Sequence, residues 1–191
     1  STGDTVSAST AVYSNAIVMV DPFSGDADVF NFTATADDNL DGTIAGIETV
    51  NVTIDYNSDA DDVFTTAIGG VAAGTVVNFN HVAGSNVAAV AVTAAPTSTL
   101  NFSALHKDVD VAGVNNSDLV IDLASTSEAA DNLLTVTGAT VDALTVTSGG
   151  DFDLDGSTND GLLTVVSGGN TDITAAAATT VNVTSEDESL I

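Results

Sequence analysis

Residues 131–136, Asp-Asn-Leu-Leu-Thr-Val, recur 29 positions later as residues 160–165, Asp-Gly-Leu-Leu-Thr-Val. The same shift places Leu144 on Ile173. A fixed period of roughly 20 to 50 residues is typical of solenoid proteins. Apolar and polar residues alternate within the matching segments, as they do in β-strands that have one buried face. The repeat therefore predicts a stack of short β-strands.

Each repeat unit contains three short alternating segments. In the first unit these are Leu134–Val136, Leu144–Val146 and Phe152–Leu154. Ser-Gly-Gly at 148–150 and at 167–169 separates segments, and we expect corners with positive φ there. The predicted fold is all-β, a parallel β-helix (β-solenoid) with roughly 29-residue coils of three strands. A two-sided coil of about 19 residues is the alternative, because Leu144 and Leu163 also recur at that distance.

The N-terminal segment, residues 1–60, lacks this period. Two β-prone segments, 11–13 and 16–20, are followed by an Asp-Pro turn at 21–22. We expect residues 1–60 to form an irregular β segment that caps the solenoid or takes part in assembly, because a stack of coils needs an end that does not invite further stacking. Residues 61–191 are expected to form the solenoid itself.

The chain is strongly acidic. It contains 27 Asp and Glu residues, one Lys and no Arg, and its net charge is −26. So many like charges disfavour a compact chain unless cations neutralise them. One Lys and no Arg cannot supply the contacts to a phosphate backbone, so we expect no nucleic-acid partner. No apolar run reaches the roughly 18 residues of a membrane helix, so no membrane insertion is expected.

Residues 37–48, Asp-Asp-Asn-Leu-Asp-Gly-Thr-Ile-Ala-Gly-Ile-Glu, match most of the twelve-residue calcium loop of an EF-hand. Oxygen-bearing side chains stand at loop positions 1, 3, 5 and 12, and Gly42 stands at position 6. The flanking residues are β-branched and alternating, so we expect a calcium loop between strands. The predicted Ca²⁺ ligands are Asp37, Asn39, Asp41, Thr43 and Glu48.

Residues 151–160 repeat the D-x-D-x-D-G opening of such a loop without Glu at position 12. Strand alternation alone would place three of these Asp side chains on the outward face. Three like charges on one strand face nevertheless repel each other when no cation is present. We therefore predict a second Ca²⁺ site. Its ligands would be Asp151, Asp153, Asp155, Asn159 and Asp160.

The sequence contains no motif that predicts an enzyme. His81 and His106 are far apart and lack the neighbouring ligands of a zinc site. Paired carboxylates hydrolyse glycosides in other proteins, but such sites add aromatic and basic residues that hold the sugar. This chain has no Trp and no Arg. We expect a protein without catalytic activity.

Residues 46–53, Gly-Ile-Glu-Thr-Val-Asn-Val-Thr, and the acidic Leu-Thr-Val coils at 131–184 resemble calcium-dependent surface-layer (S-layer) proteins and related RTX-type secreted proteins of Gram-negative bacteria. The resemblance implies type I secretion, calcium-bridged β-solenoids and a two-dimensional lattice on the cell surface. Residues 149–154, Gly-Gly-Asp-Phe-Asp-Leu, depart from the RTX nonapeptide, because Phe and Leu replace its Gly and Asp. The ligands of that nonapeptide are therefore not transferred.

Our leading hypothesis is a self-assembling extracellular protein of the cell surface, rigidified by Ca²⁺, whose partners are its own copies. One alternative is an extracellular filament subunit in which a strand such as 16–20 completes the sheet of a neighbour. Another is a calcium-dependent carbohydrate-binding or adhesive module for cell-surface polysaccharide. A halophilic origin would explain the acidity but not the spacing of the loop residues.

Overall fold

Strands make up the regular secondary structure in the part of the chain that the structure describes, and no helix occurs there. In this computed structural model the described residues are 3–9, 18–21, 26–36, 40, 43–55, 63–68, 71–81, 89–93, 98–103, 108–113, 117–123, 132–138, 141–155, 159–174, 177–185 and 189–190. The strands are β1 Thr5–Ser9, β2 Val18–Val20, β3 Val29–Ala34, β4 Thr43–Ala45, β5 Thr49–Ile54, β6 Val63–Ala67, β7 Val76–His81, β8 Ala89–Thr93, β9 Ser98–Ser103, β10 Asp108–Gly113, β11 Ser117–Leu123, β12 Asn132–Gly138, β13 Val141–Ser148, β14 Phe152–Asp155, β15 Asn159–Ser167, β16 Thr171–Thr174, β17 Thr180–Ser185 and β18 Ser189–Leu190.

The chain alternates between two parallel sheets. The odd-numbered strands form a nine-stranded sheet, called the odd sheet below, in the order β1-β3-β5-β7-β9-β11-β13-β15-β17. The even-numbered strands from β6 to β18 form a seven-stranded sheet, called the even sheet, in the same sequential order. Each turn of the chain adds one strand to each sheet, which is the architecture of a β-solenoid. The predicted fold class, an all-β parallel solenoid, is confirmed.

Each coil has two strands, so the predicted coil of three strands and its longer period are wrong. Leu144 pairs with Leu163 of the next coil, and Leu134 pairs with Leu154 in the same way. The shift that aligns the sequence repeat instead relates Leu134 of the even sheet to Leu163 of the odd sheet, one and a half coils away. Both strands of a coil face one core with one alternation pattern, so their sequences look alike. The two-sided coil is the one that forms.

Coil length changes along the stack. In the odd sheet the paired positions of β3, β5, β7 and β9 are 29, 49, 76 and 99, so the intervals between successive coils are unequal. The paired positions of β13, β15 and β17 are 144, 163 and 181, and these intervals are shorter and nearly equal. The period is therefore regular only in the C-terminal half, where the sequence repeat is visible.

One narrow core runs between the two sheets, and its chemical character also changes along the stack. Inward residues such as Leu163 and Val165 are fully buried. Fully buried Phe side chains are concentrated before residue 103, and Phe79 stacks on Phe102 with ring centroids 4.9 Å apart and planes 9° from parallel. These early residues are Phe30, Phe32, Phe64, Phe79 and Phe102. After residue 103 the buried core consists mainly of Leu, Val and Ile.

The N-terminal segment joins the odd sheet but not the even sheet. β3 and β5 pair along their whole lengths, and β5 pairs with β7 in the same way. On the other side of the coil, β2 and β4 form a separate two-stranded parallel sheet. Ile44 of β4 makes an isolated bridge to Val71. The even sheet begins at β6, close to the boundary that the sequence places at residue 60.

Buried serines stack at the corner that follows β13 and β15. Ser148 and Ser167 are paired in register and are 3% and 1% exposed. The Ser167 hydroxyl lies 3.2 Å from the Gly150 carbonyl oxygen and 2.9 Å from that of Gly169. It also accepts a hydrogen bond from the Gly169 N–H at 3.2 Å. One side chain thus connects two successive corners.

The glycines of this corner are needed because the coils approach each other closely. A Cβ on Gly168 would lie 2.7 Å from the carbonyl oxygen of Gly149, and a Cβ on Gly169 would lie 2.0 Å from Asp151 Oδ1. Neither Gly168 nor Gly169 has a positive φ, so the expectation of positive φ at this corner is wrong. Positive φ occurs instead at Gly46 and Gly74.

A ladder of asparagine side chains runs along the outer face of the odd sheet. Each Asn donates its Nδ2–H to the Oδ1 of the Asn on the preceding odd strand, at a distance of 2.8 Å. The side chains are half-buried. The members are Asn31, Asn51, Asn78 and Asn101. Such a ladder requires identical residues in exact register, which the parallel pairing of β3, β5, β7 and β9 provides.

Candidate metal centre

The structure describes only part of the first predicted calcium loop. Asp37, Asn39 and Asp41 lie outside the described residues. Leu40, between them, is fully buried, and Thr43 begins β4 with an exposed side chain. The assignment of these residues as Ca²⁺ ligands stays a prediction.

Glu48, the predicted last ligand of that loop, connects three neighbouring odd strands. It immediately precedes β5, and its carbonyl oxygen accepts a hydrogen bond from the Val76 N–H of β7 at 3.0 Å. Its carboxylate turns the other way, and Oε2 accepts a hydrogen bond from the Asp28 N–H at 2.9 Å. Glu48 is therefore placed beside the start of β3, where further carboxylates gather.

Three of these carboxylates come from two sides of a corner. Asp21 directly follows β2, while Asp26 and Asp28 precede β3, and each offers an oxygen within 4.8 Å of the other two. Among the described residues, no other group of three or more His, Cys, Asp or Glu side chains brings its ligand atoms this close together. No motif spacing connects Asp21 to the other two residues, so the sequence did not predict the group. The available signal was the pair Asp26-x-Asp28 immediately before a strand.

Asp28 is the buried member of the group. It is 2% exposed, and its Oδ1 accepts a hydrogen bond from the Asp4 N–H at 2.5 Å. Its Oδ2 is buried and has no hydrogen-bond partner among the described residues. Asp21 and Asp26 are half-buried. A buried carboxylate oxygen without a donor is costly unless a cation approaches it.

The second predicted site is divided between the two sheets. Asp151 lies at the corner before β14, and Asp153 and Asp155 lie on the outer side of β14 in the even sheet. Asn159 and Asp160 belong to β15 of the odd sheet. Their side chains are outside the described part of the structure, so their role stays a prediction.

Around β14 the structure brings together a different set of residues. Asp153 pairs in register with Asp172 of β16, and both side chains are exposed. Asp151 Oδ1 accepts a hydrogen bond from the Asn170 N–H at 2.8 Å. These four residues line one shallow depression of about 270 Å³. Asp172 was missed because the longer coil expected from the repeat places residue 182, rather than residue 172, beside Asp153.

The chemistry available at both places is that of hard cations. Carboxylate and amide oxygens are the ligands that Ca²⁺ prefers. Cysteine is absent from the chain, so thiolate sites for softer metals do not exist. Both clusters lie at strand ends or on an outer face, within reach of solvent.

Comparison with protein-family models, with curated proteins and with solved structures gave no match. Within the described ranges, no helix is long and apolar enough to cross a membrane. The site must therefore be interpreted from its own geometry.

Proposed function

We propose that the protein is a structural, self-assembling component of a cell surface, similar in role to S-layer proteins, and that Ca²⁺ rigidifies its solenoid. It acts outside the cell and without catalysis, and its principal partners are further copies of itself. Two uninterrupted parallel sheets form a stiff rod, which suits a load-carrying element. The charge of −26 suits a location in which divalent cations are plentiful.

The observation that carries the proposal is the register of Asp153 and Asp172. Their strands are neighbours in the even sheet, so the two carboxylates lie side by side on the outer face. Like charges directly opposite each other destabilise a sheet. The backbone hydrogen bonds between β14 and β16 fix this register, so the two carboxylates cannot separate. Asp151 adds a third carboxylate to the same depression. Bound Ca²⁺ would convert this repulsion into a bridge between coils.

A filament is the second candidate, and the last strand of the odd sheet supports it. Val181 and Val183 of β17 are half-buried, whereas their partners in β15, Leu163 and Val165, are fully buried. A second copy that continued the sheet at β17 would cover these valines. Donation of the segment 16–20 is less favoured, because Val18–Val20 already pairs with β4 of its own chain.

Chelation tests the proposal. Protein purified with Ca²⁺ is compared in EDTA and in excess Ca²⁺ at low ionic strength, and thermal unfolding and sedimentation of assemblies are measured. We expect EDTA to lower the unfolding temperature and to release monomers, because binding to the folded state alone stabilises it. NaCl added to EDTA-treated protein is the control, since monovalent salt only screens the charges.

Two results would contradict the proposal. If EDTA changes neither the melting temperature nor the assembly state, Ca²⁺ is not structural. If NaCl restores both as well as Ca²⁺ does, the acidity serves general screening, as in a halophilic protein. If Ca²⁺ raises the melting temperature but the protein assembles at no concentration, the solenoid is stabilised by calcium and the self-assembling role is excluded.

A further inference from the structure

The corner between β2 and β3 buries the carboxylate of Asp28. Asp28 is 2% exposed, and its Oδ2 meets no hydrogen-bond donor among the described residues. Desolvation of an ionised oxygen is unfavourable unless a positive charge compensates it. The chain has no Arg and a single Lys, Lys107, which lies outside the described ranges. An external cation is the simplest source of compensation.

The neighbouring carboxylates are close enough together to bind one divalent cation. Oxygens of Asp21, Asp26 and Asp28 lie within 4.8 Å of one another. Ca²⁺ binds oxygens at about 2.3–2.6 Å, so two ligands on opposite sides of one ion are about 5 Å apart. Mg²⁺ binds at about 2.0–2.1 Å and demands near-ideal octahedral geometry, whereas Ca²⁺ accepts irregular sets of oxygens. Three carboxylates within this span suit Ca²⁺ without rearrangement of the chain.

The surroundings leave room for the remaining ligands. A depression of about 230 Å³ adjoins the cluster and is lined by Asp4, Met19, Asp21, Asp28 and Ile47, among others. A water molecule occupies about 30 Å³, so several waters fit beside an ion. Ca²⁺ takes six to eight oxygens in flexible geometry, which three carboxylates and waters supply.

The backbone at this corner holds the cluster in place. The Asp21 N–H donates to the Ala45 carbonyl oxygen at 3.0 Å. Gly46, with φ of 73°, passes so close that a Cβ there would lie 2.2 Å from the Asp21 carbonyl oxygen. Asp28 in turn receives the Asp4 N–H just before β1. Asp21 and Asp28 are thus fixed to different sheets.

We propose that Asp21, Asp26 and Asp28 form a Ca²⁺ site that joins the β2–β4 sheet to β1 and β3 of the odd sheet. The site is distinct from both loops predicted from the sequence. It does not rest on the surface-layer role, because it requires only the geometry of this corner. Without the ion, three carboxylates repel each other where the two sheets meet, and the connection between the β2–β4 sheet and the odd sheet weakens.

The test uses Asp28→Asn, which keeps the side-chain shape and an acceptor for the Asp4 N–H but removes the charge. Asp110→Asn is the matched control, because it removes an exposed Asp charge from β10 of the even sheet and leaves both carboxylate clusters intact. Metal-free protein is titrated with Ca²⁺ by calorimetry. Hydrogen exchange of the β1 and β2 amides is then measured with and without Ca²⁺.

We expect Asp28→Asn to lose one calcium equivalent, or to bind it about ten-fold or more weakly, because ligand charge sets affinity in such sites. Ca²⁺ should slow exchange in β1 and β2 of the wild type and of Asp110→Asn, but not of Asp28→Asn. Without Ca²⁺ the variant should be at least as stable as the wild type, since a repulsive charge is gone. A residue with a merely structural role would destabilise the fold equally with and without Ca²⁺.

Wild-type calcium stoichiometry and affinity in Asp28→Asn would overturn the site. A lost equivalent with unchanged calcium protection of β1 and β2 would overturn the proposed connection between sheets. If circular dichroism shows that Asp28→Asn is unfolded, Asp21→Asn, at a half-buried position, is tested with the same criteria. Sedimentation of the same samples distinguishes the two proposals. Whether the protein assembles bears only on the surface-layer role, whereas loss of the calcium equivalent bears only on this site.

Discussion

In the N-terminal half of the odd sheet, coils of unequal length enclose Phe side chains and have an asparagine ladder outside. In the C-terminal half, shorter and nearly equal coils enclose Leu and Val and have a serine stack at the corner. Both halves nevertheless share the same two parallel sheets. Strand pairing therefore sets the architecture. Different core side chains and different rows of polar side chains stabilise it in the two halves.

The difference between the two halves also indicates how coils of unequal length are stabilised. Longer connections cost more conformational entropy when the chain folds. Larger buried side chains offset that cost, because an aromatic ring buries more apolar surface than Val or Leu. The short C-terminal coils need less compensation, and the core after residue 103 has one Phe, Phe152, among Leu, Val and Ile.

Phe79→Ala should have the largest effect, since it removes a fully buried ring that stacks on Phe102. We expect a loss of about 3–5 kcal/mol in the free energy of unfolding, measured by urea denaturation. Because coils contact mainly their neighbours, hydrogen exchange should quicken more in β7 and β9 than in β13 and β15. Val120→Ala, at a position 41% exposed, is the control. Equal losses for the two variants would mean that the rings do not hold the N-terminal half together.

Ser167→Ala should have a smaller effect, confined to the C-terminal half. The variant removes a buried hydroxyl and leaves the Gly169 N–H without its acceptor. Loss of a buried partner costs about 1–3 kcal/mol, which urea denaturation detects. Thr147→Ala, on the exposed side of β13, should change stability by less than about 0.5 kcal/mol. If both variants behave alike, the serine stack does not connect the corners.

Asn78→Ala should have the smallest effect. It breaks two amide hydrogen bonds, to Asn51 and from Asn101, but the side chain is only half-buried and water replaces its partners. We expect a loss of about 1 kcal/mol, measured as above. Asn78→Asp should cost more than Asn78→Ala, because it places a carboxylate beside Asn51 Oδ1. The reverse order would show that the ladder contributes little to stability.

The sequence was sufficient to predict the solenoid, since alternation and recurrence are local properties of the chain. Strands such as 134–136, 144–146 and 163–165 were placed correctly. The coil length was not, because Leu134 and Leu163 lie in different sheets yet face the same core. Only the hydrogen-bonded register, in which Leu144 pairs with Leu163, distinguishes one coil from one and a half.

The carboxylate clusters were harder to predict for the same reason. Asp153 and Asp172 meet because their strands pair, and Asp21 meets Asp28 at the corner between the two-stranded sheet and the odd sheet. Asp153 and Asp172 are one two-sided coil apart, which the longer expected period concealed, and no period relates Asp21 to Asp28. Motif spacing identifies ligands within one loop, whereas these ligands come from segments that only the tertiary structure brings together.

The asparagine ladder has a direction. All three amide hydrogen bonds run the same way, from Asn101 toward Asn31, so the side-chain dipoles add along the solenoid axis and polarise one another. The ladder presents N–H groups toward β1 and carbonyl oxygens toward β11. In register with its two ends stand Ser7, which can accept a hydrogen bond, and Asp122, which as a carboxylate cannot donate one. The ladder therefore stops at Asn101, because Asn101 Oδ1 and the Asp122 carboxylate are both hydrogen-bond acceptors. One end of the ladder presents N–H groups and the other presents oxygens, so its two ends attract opposite charges.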